Sequence, residues 1–187
     1  MAEIVRGAQL SKYEEEILSQ YPTHYWLNIR NIGNGKIMPD ESARIAPKSE
    51  KWAEKFSLQE DDIIITSKGT ELKICMVPPD FPPAFLCGNL TRIRADKTKI
   101  HPYVLYEFLN SQEGRISLES IQTGTTIKVL NNTNLMKMTV PMYEKGMETG
   151  EKLKEIYIQY QKEKARIAEE FENGRKNMLM ILKTGEE

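Results

Sequence analysis

From Tyr103 to Pro141 the apolar positions change period several times. Val104, Leu105, Phe108 and Leu109 recur at helical spacing. Pro102 sits just ahead of them, where a first-turn residue has no use for its N–H, so a helix is predicted to start there. Ile116, Leu118 and Ile121 mark a second, shorter helix. Thr123-Gly124-Thr125-Thr126 then interrupts with no apolar residue at all. Ile127-Lys128-Val129-Leu130 reads as a strand, Asn131-Asn132 as a turn, and Met138-Thr139-Val140 as a strand ended by Pro141.

The first half is β-rich. Tyr25 to Ile29 is a strand candidate, dense in aromatic and branched residues. Asn31 to Pro39 is broken by Gly33, Gly35 and Pro39 and reads as turn. Ser49 to Phe56 carries Trp52 and Phe56 at i and i+4, a weak helix. Ile63-Ile64-Ile65-Thr66 is a wholly apolar strand, Lys68-Gly69-Thr70 a turn, and Leu72 to Val77 its hairpin partner. The proline-rich run from Pro78 to Pro83 excludes regular structure, because each proline removes a donor. Ala84 to Arg94 reads as one or two strands.

Beyond residue 142 the pattern is helical to Lys183, a rod of about 60 Å at 1.5 Å per residue. Leu153, Ile156, Tyr157, Tyr160, Ile167, Phe171, Met178, Ile181 and Leu182 step by three or four along one stripe, interrupted at Lys164 and Gly174. The remainder is Glu, Lys, Gln and Arg. A helix this polar with one apolar stripe needs a partner helix or a surface of its own chain to cover it. The predicted fold class is therefore α+β: a mixed, β-rich domain with helices over residues 1–142, then one long coiled-coil helix over 143–187.

Composition narrows the function classes. A net charge of −1 does not announce nucleic acid, yet between Gly88 and Val140 seven cations face four anions. Cys75 and Cys87 make no disulfide framework, no signal peptide is present, and no apolar run approaches a membrane span, so a cytoplasmic location is expected. His24 and His101 lack metal-ligand spacing, and neither a cofactor nor a metal is expected. The methyltransferase signature of Asn or Asp before paired prolines and an aromatic is absent, since Val77 and Phe81 precede the two proline pairs. Asp40, Glu71 and Lys73 fall in the order of a metal-dependent nuclease motif, but Pro39-Asp40 lies in a turn rather than on a strand. The Gly/Thr loop has two readings. It is a plain surface turn, or its hydroxyls and N–H groups, with Lys128, hold phosphate oxygens.

Taken in order, Leu109-Asn110-Ser111, Gly114-Arg115, Gly124-Thr125-Thr126, Leu130-Asn131, Leu135 and Val140-Pro141 resemble the second half of a target-recognition domain of type I restriction–modification specificity subunits. Earlier pieces match too: Arg6-Gly7, Asp62 to Thr66, Lys68-Gly69-Thr70 and Gly88-Asn89-Leu90. The resemblance implies sequence-specific binding of double-stranded DNA without catalysis. A partner adenine methyltransferase, and in some systems a restriction subunit, would be directed to the target. It implies that Lys68, Thr70, Thr125, Thr126 and Lys128 hold phosphates; base-reading residues differ among family members, so Asn31, Asn34, Lys36, Arg44 and Arg92 are candidates for base edges only as polar side chains on loops. It further implies that the helix stripe, with Leu153, Ile156, Tyr160, Ile167, Phe171, Met178 and Leu182, forms a homodimer or pairs with a second helix. Family members carry two recognition domains and two helices, whereas this sequence has one of each. Met142 to Gly146 also departs from the Pro-rich entry to the helix common in the family. An interaction protein that pairs helices without binding DNA, and the nuclease, remain open alternatives.

Overall fold

The computed structural model describes residues 1–33 and 35–184. The chain divides into two compact units, Met1–Gly150 and Glu151–Glu187.

The first unit is built on a four-stranded antiparallel sheet: β1 (Ala2–Arg6), β10 (Leu90–Ala95), β6 (Ile63–Thr66) and β8 (Ile74–Met76), in that spatial order. Ile63, Ile64 and Ile65 are wholly buried, so this strand is covered on both faces and reads as a continuous apolar run. A second sheet places β2 (His24–Leu27) between β5 (Arg44–Ile45) and β9 (Ala84–Leu86), with β2 and β9 parallel. One core cluster joins the sheets through Leu27, Ile64, Cys75 and Leu86. Another packs Trp26 and Phe85 against α2 (Glu50–Phe56), whose N-cap Ser49 accepts from the Trp52 N–H.

The helices α3 (Pro102–Asn110) and α4 (Gln112–Ser120) follow β10. The apolar face of α3 is buried from Tyr103 to Leu109, and Ser111 both ends α3 and caps α4. Helix α1 (Lys12–Leu18) was not foreseen; Ser11 and Glu14 close a capping box at its start. The expected turn at Lys68-Gly69-Thr70 is instead a short strand, β7 (Lys68–Gly69), paired with β11 (Lys128–Val129). The region from Asn31 to Pro39 folds as a small hairpin, β3 (Ile32–Gly33) with β4 (Lys36–Ile37). The expected strand at Met138 to Val140 is irregular, and Asn131 caps a short helix, α5 (Asn132–Met136), through the Asn134 N–H.

Two motif arginines are architectural. Arg6 Nε donates to the Gly88 carbonyl at 2.7 Å. Arg115 ties the Leu72 carbonyl at 2.8 Å and the Asn110 side chain at 2.7 Å. Their glycine neighbours, Gly7 and Gly114, lie so close to the backbone of Leu86–Cys87 and of Phe108 that a side-chain carbon has no room.

The second unit is helical through Thr184, the end of α6 (Gly146–Thr184). Arg166 pairs with Glu163 and Glu170, and Arg175 with Glu172, the i+3 and i+4 pairs that support a solvated helix. Ile156, Tyr160, Ile167, Phe171, Met178 and Leu182 of the predicted stripe are exposed, Leu182 to 80%, while Leu153 is half-buried.

Candidate nucleic-acid interface

Pairing of β7 with β11 brings together two stretches separated by some sixty residues. Lys128 stands opposite Gly69, and Val129 opposite Lys68. Leu130 N donates to the Ser67 carbonyl at 2.9 Å, fixing the end of the ribbon. The Gly/Thr loop closes on itself at its base, where Thr123 and Val129 exchange backbone bonds of 2.9 and 2.8 Å. Gly124 has a φ of 90°, a left-handed conformation that a side chain would strain. Thr125, Thr126 and Lys128 are exposed on this loop.

A groove of about 400 Å³ runs beside the ribbon, lined by Ile29, Lys68, Gly69, Thr70, Glu71, Lys73, Asn89 and Ile127. Lys68 and Thr70 are exposed, and Lys73 is balanced by Glu71 at 3.7 Å. The groove's floor is fixed because the Asn89 carbonyl accepts from both Ser67 N at 2.9 Å and Lys68 N at 3.2 Å. Lys128 lies across the ribbon, outside the lining of the groove. The five expected phosphate-holding residues thus share one small element, and two of them, Lys68 and Thr70, face one groove.

The expected base-edge residues separate. Arg92 is 3% exposed and cannot reach a duplex. Its guanidinium donates to the Lys55 and Ser57 carbonyls and to Glu3 at 2.8 Å, and burial pulls its pKa down. Asn31 is also buried. Its carboxamide accepts from the Asn28 N–H at 2.9 Å and donates to the Met38 carbonyl at 2.8 Å, clamping the 3-10 turn Ile29–Asn31 to the hairpin. The Asn31 carboxamide and both Nη groups of Arg92 are thus engaged within the fold, and Arg92 Nε is buried as well. Lys36 is exposed on β4, Arg44 is half-buried on β5, and Asn34 lies outside the described residues.

A second groove, of about 570 Å³, lies on the other side of the 3-10 turn and shares Asn89 with the first. Lys12, Trp26, Asn28, Arg30, Ser42 and Arg44 line it together with the carboxylates Glu15 and Glu16, of which Glu15 accepts from Trp26 Nε1 at 3.0 Å. Arg30 was missed by sequence reasoning; the turn that carries it gave no periodic signal. Asp40 binds Ser42 and Arg30 rather than standing open, and hydrogen bonds from Ser42 hold its carboxyl below the usual range. Glu71 and Lys73 line the first groove, in whose lining Asp40 takes no part. Among the described residues, no three or more His, Cys, Asp or Glu side chains are grouped to hold a metal, and no helix is long and apolar enough to cross a membrane.

These elements define an α+β fold of sheets and short helices followed by a long C-terminal helix. Among solved structures the chain is similar to the crystal structure of the S subunit of a type I restriction-modification system from M. genitalium, with a TM-score of 0.60 over 94% of this chain at 18% identity. The chain spans 40% of that subunit's length. No protein-family model matches the chain, and neither does any curated protein.

Proposed function

We propose that this chain is a DNA-recognition module of a type I restriction–modification specificity component. It binds a specific duplex sequence and carries a partner adenine methyltransferase to it, with a restriction subunit joining in some assemblies. The observation that carries this reading is the pairing of β7 with β11, which puts exposed Lys68 and the exposed Lys128, at the end of the Gly/Thr loop, on one two-stranded ribbon in a fold similar to that of an S subunit. Cations and hydroxyls at the surface set register on phosphates and supply affinity that falls with salt. The module does no chemistry on DNA itself. Two copies paired through the exposed stripe of α6 would provide two recognition units and two helices, suited to a bipartite target.

The test is duplex binding by the full chain over a range of salt concentrations. Lys68→Glu and Lys128→Glu should weaken binding to all sequences alike and lower the slope of log affinity against log salt by about one charge each. A change of sequence preference in either variant would mean that the phosphate role is wrong. Dimers that retain no duplex would identify a helix-pairing protein instead. Mg²⁺-dependent cleavage lost in Asp40→Ala or Lys73→Ala would identify a nuclease.

A further inference from the structure

The turn between β4 and β5 carries two consecutive carboxylates, Asp40 and Glu41, and each holds an arginine that lines the second groove. Arg30 Nη2 donates to Asp40 Oδ2 at 3.0 Å. Asp40 is itself fixed by the Ser42 N–H at 3.0 Å and the Ser42 hydroxyl at 2.6 Å. Arg44 lies with its guanidinium carbon 4.8 Å above the centre of the Tyr25 ring and its Nη1 3.7 Å from Oε2 of Glu41, to which the Tyr25 hydroxyl also donates. The Nε of Arg44 is buried and meets no partner among the described residues.

An exposed ion pair contributes little to stability. What it does is restrict rotamers, and a guanidinium has five donors in a fixed plane, of which Arg30 commits few. The backbone beneath Arg30 is also fixed, since buried Asn31 ties its turn at 2.9 and 2.8 Å to Asn28 and Met38. A planar fork held in place at a groove edge matches the O6 and N7 acceptors of guanine in the major groove, the commonest base-specific contact. A phosphate accepts the same fork, so dependence on sequence is what separates the two roles.

We infer that Arg30, positioned by Asp40, reads a guanine in the target, with Arg44, positioned by Glu41 and Tyr25, as the second fork on the same groove. The assignment rests on the DNA-recognition reading above. It divides the surface in two: the Lys68 groove sets register, and the groove across the 3-10 turn reads sequence. Asp40, the leading carboxylate of the nuclease alternative, becomes a positioning residue.

The test is selection of the full chain on a randomised duplex pool, followed by affinity measurements on the enriched sequence and its single-base variants. Wild type should enrich a site containing a G·C pair at which Arg30→Ala loses a preference of about 5- to 150-fold, the range for one bidentate contact. Arg30→Lys keeps the charge and loses the fork; it should lose the same preference while retaining affinity for unrelated duplex. Asp40→Asn should weaken the preference at that same position with an unchanged melting temperature. Uniform weakening of all sequences by Arg30→Ala, whatever the effect of Arg30→Lys, would make Arg30 a phosphate contact and overturn the inference. So would an unaltered preference in both variants. A wild-type chain that retains no duplex would instead remove the DNA-recognition reading on which the inference stands.

Discussion

Gly150 and Gly174 stand in the same helix, α6, and the same substitution should act on them in opposite directions. Within the first unit, a carbon added at Gly150 would fall on the ring of His101. His101 is 5% exposed and cannot swing aside into solvent. Its Nδ1 accepts from the Tyr103 N–H at 3.2 Å and so caps α3. Gly150→Ala must displace the ring, the helix turn, or both. Loss of the cap costs about 0.5–2 kcal/mol. Overpacking of the site adds roughly 1–3 kcal/mol. At about 2–4 °C per kcal/mol for a unit of this size, the melting temperature should fall by roughly 3–20 °C. At Gly174 nothing lies within 4 Å, so an alanine there meets open space. It should strengthen the helix by about 0.5–1 kcal/mol. Thermal unfolding followed by circular dichroism reads both. The double variant His101→Ala with Gly150→Ala isolates the collision, because removal of the ring should abolish most of the cost of the added methyl. An unchanged melting temperature in Gly150→Ala, or full additivity in the double variant, would refute the contact.

Two further outcomes follow from burial and exposure. Replacing Ile167 and Phe171, both more than half exposed on the α6 stripe, with Asp should convert dimers to monomers in light scattering after size exclusion; a wild-type chain that is already monomeric ends the helix-pairing proposal. Cys75 is fully buried and its thiol is pushed up to about 11 by that burial, so a thiol reagent at pH 8 should label half-buried Cys87 first and reach Cys75 only after denaturation; equal labelling rates in the native chain would contradict the packing of β8.

The elements legible in the sequence were those with a strong period or a strong stop. Ile63 to Thr66 had to be a buried strand, Pro102 had to open a helix, and the apolar stripe beyond residue 150 had to be helical. The site was half legible. Lys68-Gly69-Thr70 and the Gly/Thr loop were each singled out, but their adjacency was not. That adjacency depends on a two-residue strand pair, β7 with β11, too short for any alternation to register. Helix α1 was hidden because Glu14, Glu15 and Glu16 mask its period, although Ser11 and Glu14 carry a capping signature that could have exposed it.

The charge count misled for a related reason. The stretch from Gly88 to Val140 is locally cationic, but much of that charge is already paired within the fold. Arg92 and Arg94 sit on one strand and are taken up by Glu3, Asp62 and backbone carbonyls, while Arg115 braces α4 against Leu72. Asp61 and Asp96 take Lys97 and Lys99. A lysine or arginine is available to a polyanion only when the fold leaves its donors outward, and β10 is buried along nearly its whole length, Arg92 included. Arg30, the arginine proposed above to read a base, lies outside the cationic window altogether, on a turn to which Asp40 is brought from ten residues away. Charge in a window measures how many donors a segment owns; the acceptors that fold onto it determine how many remain for DNA.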